Sequence, residues 1–129
     1  MMRSNLKAVS AATGLSFAAS ANTSYMVKVY GALQSAATTT GAALAVDIPS
    51  GSVVGQALIN SSASALLATE QIADNATTGV TTGVRAANTN VPVHAWFRVD
   101  IGATGGTVQL QFRSEIAGSA VTLKAGLWL

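Results

Sequence analysis

The sequence contains no cysteine and one histidine, His94. The missing thiols exclude disulfide bonds, thiolate metal sites and cysteine nucleophiles, and they are compatible with assembly in a reducing compartment. A transition-metal cluster built from histidine and cysteine ligands is not available either. We therefore expect neither a resident metal ion nor another cofactor.

Charge is also scarce. Only 9% of the residues are charged, whereas about a quarter is typical of soluble domains. The seven basic and five acidic residues give a formal charge of +2 and are scattered, with Arg3 and Lys7 the nearest approach to a cluster. Phosphate neutralisation needs several Lys or Arg on one face, so we predict no nucleic-acid partner. A smooth, weakly charged surface is instead typical of a chain that packs against other protein.

No run approaches the ~20 apolar residues of a transmembrane helix, so no membrane association is expected. Residues 1–7 carry two basic side chains, residues 8–21 are mildly apolar, and Ala-Ser-Ala at 19–21 would suit a signal peptidase. Serine, threonine and glycine interrupt the middle of this stretch, however, which is unlike the apolar core of a secretory signal. The pattern favours an N-terminal segment that is retained.

Residues 93–129 contain three runs in which apolar and polar residues alternate. Alternation with a period of two gives a strand one face for a core and one for water or a partner. Turn-forming residues at 102–106 and 117–119 separate the runs. The pattern predicts a three-stranded antiparallel meander. Its apolar positions are Val93, Ala95, Phe97, Val99 and Ile101; Val108, Leu110, Phe112 and Ile116; and Val121, Leu123, Ala125, Leu127 and Leu129.

Further strands are predicted upstream at 25–34, 42–48 and 53–60. Residues 36–41, with three threonines and a closing glycine, suit a turn. The stretch 61–75 is compatible with either a helix or a strand, and 80–85 with another strand. Short strands separated by Gly, Pro, Ser and Asn turns predict an all-β fold, an antiparallel jelly roll or β-sandwich of about eight strands over residues 23–129. Residues 1–22 lack a clear strand pattern beyond a short run near 15–18 and are predicted to form an extended N-terminal arm.

No arrangement of polar residues indicates catalysis. A Ser-His-Asp triad needs three converging side chains, and a glycosidase needs two converging carboxylates. The glycine-rich stretch 102–106 joins two strands without a following helix, so it does not resemble a phosphate cradle. We predict that the protein is not an enzyme. The carboxylates are dispersed over five segments, at Asp47, Glu70, Asp74, Asp100 and Glu115.

Two tryptophans indicate protein contact. Trp96 lies on the polar side of its run, and Trp128 opposes the side that carries Leu127 and Leu129; tryptophan is enriched at interface hot spots. The alternative is that both sheet faces are covered within one subunit. Arg113 and Glu115 are predicted to share an outward face and to pair across strands or subunits. The candidate interface residues are Trp96, Trp128, Arg98, Arg113 and Glu115.

Two segments resemble a group of small virion proteins of tailed bacteriophages. Residues 105–126 read GGTVQLQFRSEIAGSAVTLKAG, and a Ser-Tyr pair at 24–25 is followed by AATTTG at 36–41, which forms a hairpin in that group. The likeness therefore extends over most of the chain from about residue 22. The group usually continues Lys-Ala-Gly-Ser, whereas this chain continues Gly126-Leu127-Trp128-Leu129.

The resemblance implies a jelly-roll structural protein of the virion, assembled in the host cytoplasm and most similar to capsid cement or decoration proteins. Such a protein would form a homotrimer, bind the lattice of the major capsid protein and stabilise the head. The alternative is a tail-fibre or head-fibre module that binds the host surface. The arm over residues 1–22 is expected to clasp a neighbouring subunit or the major capsid protein, through Arg3, Leu6, Lys7, Leu15 and Phe17.

Overall fold

The computed structural model of the chain describes residues 2–4, 10–59, 68–72 and 83–128, with side chains described for 14–59 and 83–124. These residues form strands joined by turns and contain no helix, so the predicted all-β class is confirmed. Nothing in the described ranges is a helix long and apolar enough to cross a membrane. The strands are β1 (Met2–Ser4), β2 (Ser10–Ala19), β3 (Ser24–Ser35), β4 (Ala42–Asp47), β5 (Ser52–Ile59), β6 (Ala68–Ile72), β7 (Val91–Asp100), β8 (Gly106–Ser114) and β9 (Val121–Trp128).

The strands belong to two antiparallel sheets. The large sheet has six strands in the order β1-β9-β3-β7-β5-β6, and the small sheet has three in the order β2-β8-β4. Three of the pairings are nested in sequence: β3 with β9, β4 with β8, and β5 with β7. The chain therefore passes through β3, β4 and β5 and then through their partners in reverse order, β7, β8 and β9. It changes sheet before and after β4 and before and after β8, whereas β5, β6 and β7 all lie in the large sheet.

One hydrophobic core lies between the sheets. Alternate residues of β3 and β7 in the large sheet and of β8 in the small sheet are buried, because successive side chains of a strand point to opposite faces. In β4 the five residues from Ala42 to Val46 are all buried. Full burial of a Leu, Val or Phe side chain contributes about 1.5–3 kcal/mol to folding. The largest fully buried side chains are Phe97, Phe112, Leu33, Leu44, Ile59, Leu110 and Leu123.

The predicted C-terminal meander is wrong in its pairing. Its three strands exist as β7, β8 and β9, but β8 lies in the small sheet and the other two lie in the large one. Residues 101–105 and 115–120 carry the chain between sheets instead of closing hairpins, and AATTTG at 36–41 does the same between β3 and β4. The loops bond to other loops: Ile101 N–H donates to Thr23 O, and Glu115 N–H to Gly41 O. Alternation identifies a strand with one buried face but not the strand beside it.

The predicted extended arm over 1–22 is also wrong where the structure describes it. β2 pairs with β8 inside the small sheet, and β1 pairs with β9 at an edge of the large sheet. Gly14 has φ +82°, and the register of β2 shifts between Ala11 and Ser16. This bulge breaks the period-two pattern, which is why the sequence did not reveal the whole strand.

The strands predicted at 25–34, 42–48 and 53–60 are confirmed as β3, β4 and β5. In the ambiguous stretch 61–75, residues 68–72 form β6 and the others lie outside the described residues. The strand predicted at 80–85 is not observed at residues 83–85, which form no strand, and residues 80–82 lie outside the described residues.

Candidate protein-interaction surface

The outer side of the large sheet carries an exposed apolar surface, which we call the aromatic face. It is defined by Met26, Lys28, Tyr30, Val54 and Trp96, all exposed. The exposed fraction of its four apolar side chains is 54% for Met26, 45% for Tyr30, 58% for Val54 and 38% for Trp96. The alternate residues on the same strands point into the core, so β3, β5 and β7 hold these side chains outward. Ile116, on the loop 115–120, is the other large hydrophobic side chain with comparable exposure in the described part of the chain.

Strand register places these side chains in adjacent rows across the sheet. Lys28 is opposite Trp96, which is opposite Gln56 on its other side. In the neighbouring row Met26 is opposite Arg98, and Arg98 is opposite Val54. Directly opposed residues of antiparallel strands have Cβ atoms about 4.5–5.5 Å apart. The face is therefore one contiguous surface that spans the central strands β3, β7 and β5.

Tyr30 and His94 stack beside Trp96. Their ring centroids are 4.4 Å apart and the rings are 12° from parallel. The Nε2 atom of His94 is buried, and the described residues provide no hydrogen-bond partner for it. No carboxylate or hydroxyl contacts this imidazole in the described residues, so the triad geometry that general-base catalysis requires is not present there.

A polar network closes one end of the aromatic face. The Arg98 guanidinium contacts the Asp100 carboxylate through Nε at 2.9 and 3.1 Å and through Nη2 at 2.9 Å. The Ser24 hydroxyl donates to the same carboxylate at 2.5 Å. These contacts, the Ser24 hydrogen bond first and Arg98 second, hold the pKa of Asp100 below its ordinary value. Both charged groups are well exposed, so solvent screens their attraction.

The face carries more positive than negative charge. The side chain of Lys28 makes no hydrogen bond or ion pair with any described residue, and the carboxylate of Asp100, at one end of the face, is bound to Arg98 and Ser24. At the other end Lys124 donates to the neutral side chain of Asn90 at 3.1 Å. Lys28 and Lys124 are therefore cations without a carboxylate partner in the described part of the chain.

The interface residues predicted from the sequence fall into three places. Trp96 belongs to the aromatic face, and Arg98 lies between Met26 and Val54 at one end of that face. Arg113 and Glu115 lie elsewhere: Arg113 donates to Ser114 O at 3.3 Å, and Glu115 follows β8 and accepts from Gly41 N–H at 2.9 Å. Glu115 thus connects two loops of its own chain. The backbone of Trp128 pairs with Lys28 in register, and its side chain is outside the described ones.

The residues predicted to make the contacts of the N-terminal arm also lie in different places. Leu15 is buried in the core, and Phe17 packs edge-on against Tyr25 with ring centroids 5.2 Å apart. Both therefore serve the chain's own domain. Arg3 pairs with Thr122 in the backbone register of β1 and β9, whereas Leu6 and Lys7 lie outside the described residues.

Sequence reasoning did not single out Met26, Lys28, Tyr30 and Val54. Alternation in residues 25–34 does place Met26, Lys28 and Tyr30 on one side of a strand, and this was the available signal. Nothing in the sequence marks Val54 as their neighbour, because that adjacency arises from the pairing of β5 with β7.

The structure offers little for small-molecule chemistry. Among the described residues no group of three His, Cys, Asp or Glu side chains is placed to hold a metal ion. The glycine-rich stretch 102–106 packs against other turns, where Asn22 N–H donates to Gly102 O and the Ser50 hydroxyl to Thr104 O. A shallow open depression of about 260 Å³ lies at one end of the aromatic face, lined by Ser24, Tyr25, Met26 and Arg98.

Comparison of the chain with protein-family models, with characterised proteins and with solved structures finds no match.

Proposed function

We propose that this chain is a structural protein of a tailed-bacteriophage virion, a capsid decoration protein that binds the major capsid protein and stabilises the head. The observation that carries the proposal is the aromatic face, where four large apolar side chains are held in water by a rigid sheet. Large apolar side chains grouped on one exposed face favour a surface that binds another protein. The resemblance of residues 105–126 and 36–41 to small virion proteins supports the choice of partner.

The fold we propose is a jelly-roll type of β-sandwich. The nested pairing of β3 with β9, β4 with β8 and β5 with β7 supports it, because a jelly roll forms when one long hairpin winds over two sheets. The single core shared by the two sheets supports it as well.

The assembly we propose is a homotrimer that acts without catalysis or a cofactor. Low charge reduces the repulsion between copies and so favours self-association. Sedimentation equilibrium at micromolar concentration is expected to give a mass of three chains. A single-chain mass at every concentration would contradict the trimer without contradicting binding to the capsid.

The proposed function is tested with heads of the encoding phage assembled without this chain. Purified protein added to such heads is expected to co-sediment with them, to saturate at a fixed ratio to the capsid protein, and to raise their melting temperature. Electron cryomicroscopy should then show new density on the outer capsid surface. Absence of co-sedimentation, together with density for this chain elsewhere in the native virion, would overturn the proposal.

A fibre module that binds the host surface is the second candidate. The depression lined by Ser24, Tyr25, Met26 and Arg98 supports it, because a lining that combines polar and apolar side chains suits a small polar ligand such as a sugar. On this reading heads that lack the chain would be as stable as complete heads, while adsorption of the phage to its host would fall.

A further inference from the structure

We propose that the aromatic face docks onto a partner protein surface that is apolar at its centre and carries carboxylates opposite Lys28. The inference rests on the proposed function, in which the capsid lattice is the source of that surface. It assigns the contact to one side of the large sheet and states the charge of the partner.

The apolar centre of the contact follows from exposure. Trp96 and Tyr30 lie on the central strands β7 and β3, and Met26 and Val54 flank Arg98 in the next row. Large aromatic side chains near the centre of a contact are the usual energetic anchors of protein interfaces. The surface is also preformed, because its strands are internal to the sheet and Tyr30 is fixed by its stack on His94. Binding therefore costs little ordering entropy.

The acidic character of the partner follows from Lys28. Lys28 is directly opposite Trp96 on the neighbouring strand, so a surface that covers Trp96 also covers Lys28 and removes it from water. A charge that loses its hydration must gain a partner of opposite sign, or binding is penalised. Asp100 cannot serve, since Arg98 and Ser24 already occupy its carboxylate. A carboxylate supplied by the partner meets the requirement, and Lys124 adds a second positive group at the rim.

A second copy of this chain fits the face poorly. Contact between two such faces would place positive charge against positive charge, because neither Lys28 nor Lys124 has a carboxylate partner among the described residues, and like charges across an interface are repulsive. The described acidic side chains outside the face are already engaged. Glu115 is bound to Gly41 N–H, and Asp47 also has a partner within the chain. Charge complementarity therefore points to a different, acid-bearing protein.

The test uses the full chain, heads assembled without it, and two pairs of matched variants. Trp96→Ala and Lys28→Glu alter the face. Ile116→Ala removes a comparably exposed apolar side chain elsewhere, and Arg85→Glu reverses an exposed charge elsewhere. Affinity for the heads is measured by co-sedimentation. We expect a loss of about thirtyfold for Trp96→Ala, the size of a hot-spot truncation, and of about tenfold or more for Lys28→Glu.

The controls are expected to bind within about twofold of the unmodified chain, because changes outside an interface leave affinity nearly unchanged. Raising the salt concentration from about 50 to 500 mM should lower the affinity of the unmodified chain for the heads, because salt screens charge pairs. The affinity of Lys28→Gln should fall less. Melting curves verify that each variant is folded. If the melting temperature of Trp96→Ala is low, the affinity for the heads is measured with Met26→Ala and Val54→Ala instead, because these two side chains are more exposed than Trp96.

The inference would be overturned, while the proposed function stands, if Trp96→Ala bound the heads with normal affinity. It would also be overturned if Lys28→Glu bound them as tightly as the unmodified chain at low salt. A Trp96→Ala protein that changes from trimer to monomer in sedimentation equilibrium would also overturn it, since the face would then be the contact between copies. Failure of the unmodified chain to bind heads at all would instead overturn the proposed function, and this inference with it.

Discussion

Ser35 and Ser114 occupy equivalent positions at the starts of two adjoining loops, as the last residues of β3 and β8. Each is a buried serine at the end of a strand, and each hydroxyl lies 3.0 Å from the carbonyl oxygen two residues later and 2.7 Å from the one five residues later. In both cases the hydroxyl also accepts the N–H of the residue two positions on, at 3.4 and 3.3 Å respectively. The loops 36–41 and 115–120, which carry the chain from one sheet to the other, are therefore closed by the same serine-centred contacts.

The first prediction concerns these serines. Ser114→Ala should lower the free energy of unfolding by about 1–3 kcal/mol, because buried loop groups lose the hydroxyl that satisfies them. Ser35→Ala should behave similarly. Ser52→Ala, at an exposed position, is the control and should change it by less than about 0.5 kcal/mol. Urea unfolding measures all three, and equal stability of Ser114→Ala and the control would contradict the prediction.

The second prediction concerns the close contact of β5 with β7 at Gly55. A Cβ atom at this glycine would overlap Trp96 O and the Phe97 side chain. Gly55→Ala should therefore destabilise the protein by about 1–3 kcal/mol or more through overpacking. Gln56→Ala, the next residue on the same strand, should cost much less. Thermal unfolding of both proteins is the measurement, and a Gly55→Ala protein at least as stable as the original would refute the contact.

The third prediction concerns the pH dependence of stability at Asp100. Its pKa is lower in the folded chain than in the unfolded chain, where it is near 3.9. The folded state therefore binds fewer protons in this range, so the contribution of Asp100 is present above about pH 4 and is lost as the pH falls through the folded value. Urea midpoints between pH 6 and 3 should fall less steeply for Asp100→Asn than for the original chain. Parallel slopes would show that the contacts with Ser24 and Arg98 do not affect folding.

The fourth prediction concerns the N-terminal segment. Deleting residues 2–18 removes most of β2, including buried Leu15, and leaves an edge of β8 unpaired. The truncated protein should melt well below the full chain or fail to fold. Leu15→Ala alone should cost about 2–5 kcal/mol, whereas Ser16→Ala, at an exposed neighbouring position, should cost little. A truncated protein that melts like the full chain would restore the idea of a detachable arm.

The candidate surface was visible in the sequence only in part. The outward position of Trp96 followed from alternation along residues 93–101, because period two is a property of one strand. The neighbours of Trp96 did not follow, because Lys28 and Gln56 are brought beside it by the register of β3 and β5. Glu115 was expected on an outward strand face. It instead connects two loops, since β8 ends at Ser114.

The sequence by itself determined the strands that alternate, from β3 to β5 and from β7 to β9, and their buried faces. Burial of Val27, Phe97 and Leu123 follows from local alternation, and that pattern needs no knowledge of the rest of the chain. Only the tertiary structure decided which strands pair. A turn-rich loop of five or six residues can close a hairpin or cross to an opposing sheet about 10 Å away, and the choice depends on which arrangement buries the apolar faces together. Burial in one shared core placed β8 between β2 and β4 instead of beside β7, and so left the outer side of β3, β5 and β7 as a single exposed face.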